Sequence, residues 1–234
     1  MTADSKKALI VIDMQNGFIK AASPLCIRMA EATVPACSRV IREAHRQGLL
    51  VAYVTRLYRE DGTDVELPRK ALWEQGRPIT RSAKGELSAA YPAEFECLPL
   101  DYHIVKPRFS AFFQTSLDLI LRRNGIARLY LIGTTTPNCI RTTCYDAISL
   151  DYQVTLIEDC CSASTPEIQA ANLADMRNIG AAIMSSAAFC AAGEAIMLHC
   201  KTRSFNALAL LCYVLQQCCS LLIICQEIVA HCLD

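Results

Sequence analysis

The sequence predicts an α/β protein with three layers, in which helices cover both faces of a six-stranded, mainly parallel sheet. Two observations carry this prediction. Short apolar runs of strand length recur along the chain, and segments with apolar residues at helical spacing separate most of them. Strands that alternate with helices in this way pair in parallel, because each helix carries the chain back to the same end of the sheet. A chain of 234 residues is long enough for one such domain with a full core.

The first elements follow this alternation. Ala8–Ile12 is a β-branched run typical of a strand buried on both faces, and Asp13–Phe18 is predicted to be a polar loop. Apolar residues at helical spacing predict a helix over Glu31–Gln47, which Gly48 ends. Leu49–Val54 is the second predicted strand.

The middle of the chain is less regular. Arg56–Pro99 is rich in charge, Gly and Pro, and we expect it to form a lid or a subunit contact. Tyr102–Val105 is a short third strand that ends at Lys106. Thr115 and Asp118 have the spacing of a capping box, which predicts a helix ending near Asn124.

The remaining elements continue the pattern. Leu129–Ile132 is the fourth predicted strand, and the polar turn behind Gly133 leads into a helix. The rest are a fifth strand at Gln153–Ile157, a helix from Ser164 to Asn178 with Pro166 and Glu167 in its first turn, a sixth strand at Ala181–Met184 and a final helix.

Composition excludes some classes of partner. The 23 basic and 23 acidic residues cancel, so a nucleic-acid partner is not expected, and neither is an anionic membrane. The 14 cysteines lack zinc spacing, and the N-terminal sequence has no signal-peptide pattern. We therefore expect reduced thiols in a cytoplasmic protein.

The C-terminal part has a different character, and we predict a folded α/β domain over residues 1–195 with an apolar, Cys-rich extension over residues 196–234. Ser204–Gln226 carries no charge and is long enough for a membrane span, but its Asn and Gln residues argue against one. A helix that packs on the domain or on a partner subunit is favoured. A membrane anchor and a disordered terminus remain open.

Cys139 is the candidate nucleophile. It lies where the fourth strand gives way to a helix, so unpaired backbone N–H groups and the positive end of the helix dipole favour its thiolate. The same N–H groups could hold an oxyanion. In a chain with this many cysteines, a plain buried thiol is the alternative.

Two further reactive side chains fall at the same edge of the sheet. Asp13 directly follows the first strand and Lys106 follows the third, while Cys139 follows the fourth. Parallel strands place these ends together, where ligands bind in such folds. Each residue alone could be a solvated surface group, but together a carboxylate, an ammonium and a thiol make an activated nucleophile.

The residues around these three positions resemble the isochorismatase-like cysteine hydrolases, a superfamily that includes nicotinamidases and ureide and biuret hydrolases. The matching stretches are Val-Ile-Asp13-Met-Gln-Asn, Val-Lys106-Pro-Arg-Phe-Ser-Ala-Phe and Gly133-Thr-Thr-Thr-Pro-Asn-Cys139. The resemblance covers roughly residues 7–188 and implies a Rossmann-like isochorismatase-like hydrolase fold.

The resemblance also implies a mechanism. Asp13 would deprotonate Cys139, Lys106 would hold the pair, and the thiolate would attack an amide carbonyl. Backbone N–H groups of Thr135 and Cys139 would form the oxyanion hole, and a cis peptide would fall between Thr134 and Thr135. The implied function is hydrolysis of the C–N bond of a small amide or ureide without a cofactor, in a homo-oligomer that is a dimer or a tetramer.

Departures from the family pattern narrow the substrate. Nicotinamidases carry an Asp-x-His metal site after the second strand, where this chain has Thr55, Arg56 and Leu57, so we expect no metal and disfavour nicotinamide. The candidates to line the substrate pocket are Phe18, Arg108, Phe112 and Phe113. The phenylalanines could equally be core residues, and Arg108 could be a surface partner of a carboxylate.

Other functions stay open at this stage. An isochorismatase-type ether hydrolase is the nearest alternative, because the same fold supports both reactions. A non-enzymatic thiol redox or binding protein is the alternative from another class. The intact Asp13 and Lys106 argue against a silent site.

Overall fold

The computed structural model describes residues 6–193, and within them it shows a six-stranded sheet whose strands are all parallel. The strands lie in the order β3-β2-β1-β4-β5-β6. Their bounds are β1 Lys6–Ile12, β2 Leu50–Thr55, β3 Tyr102–Val105, β4 Ile126–Thr134, β5 Gln153–Ser162 and β6 Ala182–Met184. The predicted α/β class is confirmed, and the sheet is parallel throughout.

Helices connect the strands. Their bounds are α1 Asn16–Ile19, α2 Ala30–Arg46, α3 Lys70–Trp73, α4 Leu117–Arg123, α5 Arg141–Ser149 and α6 Pro166–Asn178. A π-helical turn, Thr136–Ile140, precedes α5, and residues 186–190 are helical after β6. Residues 56–101 are irregular apart from α3 and two 3-10 turns, Leu67–Arg69 and Gly85–Leu87.

The core has two apolar layers, one on each face of the sheet. On one face, alternate β1 side chains such as Ile10 and Ile12 pack with apolar residues of α4, α5 and α6. On the other face, Leu9 and Val11 pack with the buried stripe of α2, which includes Val34 and Ile41. Because successive side chains of a strand point to opposite faces, a strand buried on both sides has to be apolar at every position.

The strand order sets where a ligand can bind. The chain first builds β1, β2 and β3 outward in one direction, and then returns to place β4 beside β1 on the other side. The connections after β1 and β4 therefore leave in opposite directions and open a crevice between them. Crevices of this kind, at the carboxyl ends of the strands, are where open α/β sheets bind ligands.

Several local predictions need correction. The stretch after β1 is not all loop, because α1 begins at Asn16. Strands β4 and β5 extend well beyond the apolar runs that predicted them, since strand pairing continues into polar residues up to Thr134 and Ser162. At α6 the N-cap is Thr165 rather than Ser164, and its hydroxyl accepts the Ile168 N–H at 3.3 Å.

The predicted extension over residues 196–234, with its apolar stretch Ser204–Gln226, lies outside the described residues. Of the helices within residues 6–193, none has both the length and the apolar character needed to cross a bilayer.

Candidate active site

Asp13, Lys106 and Cys139 meet at the carboxyl edge of the sheet. Lys106 Nζ lies 2.8 Å from Asp13 Oδ2 and donates a hydrogen bond to Cys139 Sγ at 3.4 Å. It also donates to the backbone carbonyl of Arg108 at 3.0 Å. Only 1% of Asp13, 0% of Lys106 and 6% of Cys139 is exposed. The ammonium therefore bridges a carboxylate and a thiol in a site that is largely closed to water.

The sheet fixes the backbone of the two charged residues. The Asp13 N–H donates to the Val54 carbonyl at 2.9 Å, and the Lys106 N–H donates to the Thr55 carbonyl at 2.8 Å. Each bond continues the pairing of adjacent strands by one residue. At Asp13 the chain then turns away with φ +53°, a left-handed conformation in which Asp is several-fold enriched among non-glycine residues.

Cys139 lies in the π-helical turn rather than at the first residue of α5. The Ile140 N–H reaches back five residues to the Thr135 carbonyl at 3.3 Å, which is the hydrogen bond of a π turn. The peptide bond between Thr134 and Thr135 is cis. Helix α5 continues directly from the turn, with Cys144 and Ala147 buried against the sheet.

The end of β5 supports this turn. The hydroxyls of Thr135 and Thr136 both donate to the Ser162 carbonyl, at 3.2 and 3.0 Å, and the Ser162 hydroxyl donates to Thr134 Oγ1 at 3.0 Å. These bonds explain why three consecutive threonines precede the candidate nucleophile. They tie the backbone on the amino side of Cys139 to a central part of the sheet.

The charge state of the thiol differs from the sequence-based expectation. Burial raises the pKa of the Cys139 thiol to about 12, and the negative charge of Asp13 and a hydrogen bond with it add to the rise, while Lys106 opposes it. The expectation of a resting thiolate is therefore wrong. Desolvation and the Asp13 charge outweigh the nearby cation, so the resting thiol is neutral.

The geometry leaves Asp13 free to take the thiol proton. Apart from Lys106 and Cys139, no group in the described part of the chain offers a hydrogen bond to its carboxylate oxygens. A buried carboxylate with spare acceptor capacity next to a thiol can act as a general base.

A backbone donor is also available near the thiol. The Thr135 N–H belongs to the cis peptide bond that leads into the turn of Cys139. The N–H of Cys139 belongs to the same turn. Two N–H groups of one turn beside a nucleophile are the usual composition of an oxyanion hole.

Two of the four predicted pocket residues, Phe18 and Arg108, contact the irregular segment that follows β2. Phe18 of α1 is buried in a small separate cluster with Trp73 and Ile79, below the irregular segment. Arg108 is exposed, and its Nη1 donates to the backbone carbonyls of Asp64 at 3.1 Å and Pro107 at 2.6 Å. Phe18 therefore serves as a core residue here, and Arg108 holds the covering segment.

The other two predicted pocket residues, Phe112 and Phe113, lie in other surroundings. Phe112 stacks on Tyr152 with ring centroids 5.8 Å apart, and Tyr152 directly precedes β5. The structure thus places Phe112 toward the amino ends of the strands, away from the turn of Cys139. Phe113 is 47% exposed on the surface.

The residues after β2 do not fit a metal ion. Arg56 is buried there, and its guanidinium forms an ion pair with Glu66 at 2.9 Å. A fixed positive charge at this place opposes a cation, and the flanking Thr55 and Leu57 lack the nitrogen or carboxylate donors that catalytic zinc requires. Among the described residues, no three His, Cys, Asp or Glu side chains converge.

Sequence reasoning missed the residues that hold the three loops together. Gln15 and Arg56 are buried polar side chains that bond across loops, and Thr143 of α5 accepts the Ala111 N–H at 2.9 Å. The partners of Gln15 and Thr143 lie between 32 and 74 residues away along the chain. No short spacing reveals such pairs, and a polar residue in a loop is ordinarily solvated.

Comparison with known proteins decides the family. Residues 7–188 match the family model described as the isochorismatase domain. The chain belongs to the isochorismatase family. The predicted resemblance is confirmed, and the three residues that carried it lie in the matched region.

Individual relatives agree with this family. The chain is 44% identical over 177 residues to a protein of Arabidopsis thaliana named a probable inactive nicotinamidase, covering 74% of this chain and 89% of that protein. It is 30% identical over 172 residues to a ureidoacrylate amidohydrolase of Variovorax paradoxus, covering 66% and 68%. The crystal structure of an isochorismatase family protein from Desulfovibrio vulgaris superposes with a TM-score of 0.74 at 38% identity, covering 79% of this chain and 96% of that one.

Proposed function

We propose that this isochorismatase-family chain is a cysteine hydrolase that cleaves the C–N bond of a small amide or ureide through a thioester on Cys139. The observation that carries the proposal is the buried contact of one ammonium, Lys106, with both the Asp13 carboxylate and the Cys139 sulfur. A structural ion pair needs no thiol, and a structural buried thiol needs no charged partner. The three together have the composition of an activated nucleophile.

The first half-reaction forms the thioester. The substrate carbonyl lies against the Cys139 sulfur, and Asp13 accepts the thiol proton as the carbon–sulfur bond forms. This order suits a thiol whose pKa is raised to about 12, because the proton leaves only as the nucleophile attacks. The developing oxyanion accepts hydrogen bonds from the N–H groups of Thr135 and Cys139. Protonated Asp13 then gives its proton to the departing nitrogen.

The second half-reaction releases the acid. Asp13, again a carboxylate, removes a proton from water as the water oxygen attacks the thioester carbonyl. The carbon–sulfur bond breaks, and the proton returns to the Cys139 sulfur. Lys106 stays positively charged throughout and stabilises whichever of Asp13 and Cys139 carries the negative charge.

Two observations favour linear amides and ureides over nicotinamide. A buried arginine stands after β2, and the residues there do not fit a metal ion. The similarity to a ureidoacrylate amidohydrolase spans 172 residues and supports a ureide-type substrate. No step of the proposed reaction uses a Lewis acid.

Ammonia release tests the proposed function. The panel contains linear ureides, simple aliphatic amides, nicotinamide and isochorismate. Because isochorismate has no nitrogen, its hydrolysis is followed by the disappearance of isochorismate. We expect turnover of a linear amide or ureide that survives dialysis against EDTA and is absent in Cys139→Ala. Turnover of isochorismate alone would favour ether hydrolysis, and a chelator-sensitive nicotinamidase activity would contradict the proposal.

A further inference from the structure

A buried arginine joins the elements that carry the triad. The guanidinium of Arg56 is 3% exposed, and its Nη1 donates to the backbone carbonyl of Lys106 at 2.8 Å. Its Nη2 donates to Glu66 Oε1 at 2.9 Å. The Arg56 Cζ atom lies 4.4 Å from the centre of the Tyr58 ring. Tyr58 completes the group by donating its hydroxyl to Glu66 Oε2 at 3.0 Å.

The backbone of the same residue reaches the loop of Asp13. The Arg56 N–H donates to Gln15 Oε1 at 2.9 Å, and Gln15 Nε2 donates back to the Arg56 carbonyl at 2.8 Å. Gln15 Nε2 also donates to the Ala89 carbonyl at 3.0 Å. Gln15 is two residues after Asp13, so one residue, Arg56, is bonded both to the loop after β1 and to the residue that supplies the ammonium.

Charge explains why the arginine is kept in this place. Burial alone would lower the pKa of the Arg56 guanidinium, but its interactions with Tyr58 and Glu66 more than offset that effect. Asp13 adds a smaller favourable contribution. Two cations, Arg56 and Lys106, thus face two carboxylates, Glu66 and Asp13, and the buried group is balanced. Removing one member would leave an uncompensated buried charge.

We propose that Arg56 is a positioning residue, which sets where Lys106 stands and so governs the reactivity of Cys139 without touching the sulfur. The Lys106 ammonium has three N–H bonds, directed at Asp13, Cys139 and the Arg108 carbonyl. A small shift of the Lys106 backbone would move the ammonium relative to the Cys139 sulfur, which it contacts at 3.4 Å. The Arg56 hydrogen bond to the Lys106 carbonyl opposes that shift.

The inference rests on the proposed roles of Lys106 and Cys139, but its test does not need a substrate. Iodoacetamide reacts with the thiolate, so the rate at which Cys139 is carbamidomethylated, followed by peptide mapping from pH 6 to pH 10, reports the fraction of the thiol that is ionised at each pH. Failure to find any amide substrate would overturn the proposed function and leave this measurement intact.

The variants compare Arg56 with an exposed arginine of the same segment. In Arg56→Met, which keeps an unbranched stem but whose side chain donates no hydrogen bond, we expect alkylation of Cys139 to slow by about tenfold to a hundredfold, with the pH profile displaced upward. Arg56→Lys should recover part of the rate, because an ammonium can reach the Lys106 carbonyl or Glu66 but lacks the guanidinium fork. Arg59→Gln, which removes a 68% exposed ion-pair partner of Asp61, should stay within about twofold of the parent.

The double variant Arg56→Met/Glu66→Gln separates positioning from folding. It removes the ion pair without leaving a buried carboxylate unpaired, so it should fold even if Arg56→Met does not. Slow alkylation with an upward-displaced pH profile in the folded double variant supports the inference. A parental rate and profile in either folded Arg56→Met protein would overturn it and leave Arg56 as a structural ion-pair partner only.

Discussion

Two opposing effects act on the Cys139 thiol, and their balance determines how the site works. Burial and the Asp13 charge raise the pKa of the thiol to about 12, while Lys106 lowers it. A neutral thiol reacts more slowly with electrophiles than a thiolate does. In the proposed reaction, deprotonation and attack are coupled, and the base that accepts the proton is the group that later protonates the leaving nitrogen.

This balance predicts opposite effects of one substitution on two reactions. Asp13→Asn removes the negative charge that raises the pKa of Cys139, so Lys106 should lower that pKa and speed alkylation by iodoacetamide near pH 7. Amide hydrolysis should fall by about two to four orders of magnitude, because the leaving nitrogen is no longer protonated. Peptide mapping gives the first rate and ammonia release the second. Slower alkylation together with unchanged hydrolysis would remove Asp13 from the mechanism.

At the level of single residues, the sequence predicts that Asp13, Lys106 and Cys139 come together, but it does not predict the side chains that hold them in place. Asp13, Lys106 and Cys139 follow strand ends, and topology alone brings strand ends together. The pKa of Cys139 could not be predicted in the same way, because it depends on how completely the loops exclude water. The bonds of Arg56 to Glu66 and to the Lys106 carbonyl depend on side-chain directions in an irregular segment.

Among the elements, the junction of β4 with the nucleophile turn is the most constrained. Gly133 pairs with Ile12 of β1 and has φ +126°, and a Cβ placed on it would lie 2.0 Å from the Ile12 carbonyl oxygen. Ile12 directly precedes Asp13. The close approach of these two backbones therefore sets the distance between the base and the nucleophile turn.

A pair of glycine variants tests this constraint. Gly125 also has a positive φ, +68°, but a Cβ on it would meet no atom within 4 Å. Gly125→Ala should therefore lower the free energy of unfolding by about 1–2 kcal/mol, which is the price of the left-handed conformation alone. Gly133→Ala should lower it by more than roughly 4 kcal/mol, because the backbone of β1 has to move as well. Urea unfolding measures both, and equal losses would contradict the close approach.

Element boundaries were predicted less well than element order, for a physical reason. The capping box of Thr115 and Asp118 is wrong, since Ser116 is the N-cap of α4 and Thr115 accepts the Leu117 N–H at 3.2 Å. Asp118 instead accepts the Tyr152 hydroxyl at 2.7 Å and pairs with Arg122. A tertiary partner 34 residues away competes with the local motif. The apolar runs of the strands have no such competitor, and they located all six strands.

For the whole molecule, the buried thiols predict a loss of stability in alkali. Burial raises the pKa of Cys139 and of Cys144 to about 12 in the folded chain, against about 8.5 for a thiol in the unfolded chain. A raised folded pKa gives stability that is complete below the unfolded pKa and is lost as the pH rises toward the folded one. Each thiol should therefore lower the free energy of unfolding by about 1.4 kcal/mol per pH unit between about pH 8.5 and pH 12.

Urea unfolding at pH 9, 10 and 11 checks this slope. Cys144→Ala is the matched variant, because Cys144 is fully buried and lies outside the triad. The variant should be less stable at pH 7, but its stability should decline less steeply with pH, by the contribution of one proton. Parallel declines in the parent and the variant would show that Cys144 ionises as readily in the folded chain as in the unfolded one.

The overall architecture was the most predictable level. Alternating apolar runs and helical patterns define the α/β class, and the same alternation puts the carboxyl ends of all strands at one edge. The pairing of β4 beside β1, which creates the crevice, was not part of the prediction. That pairing is a finding of the structure. The resemblance implied the fold family, and the match over residues 7–188 confirms family membership.

The central claim is that Cys139 becomes acylated during turnover, and mass spectrometry of the acid-quenched enzyme tests it most directly. With the best substrate of the amide and ureide panel, a peptide containing Cys139 should carry the mass of the acyl part of the substrate within the first turnover. Hydroxylamine should discharge that adduct, and Cys139→Ala should show neither adduct nor ammonia release. Undiminished hydrolysis by folded Cys139→Ala, or an acyl group found on another residue of the parent, would contradict the claim.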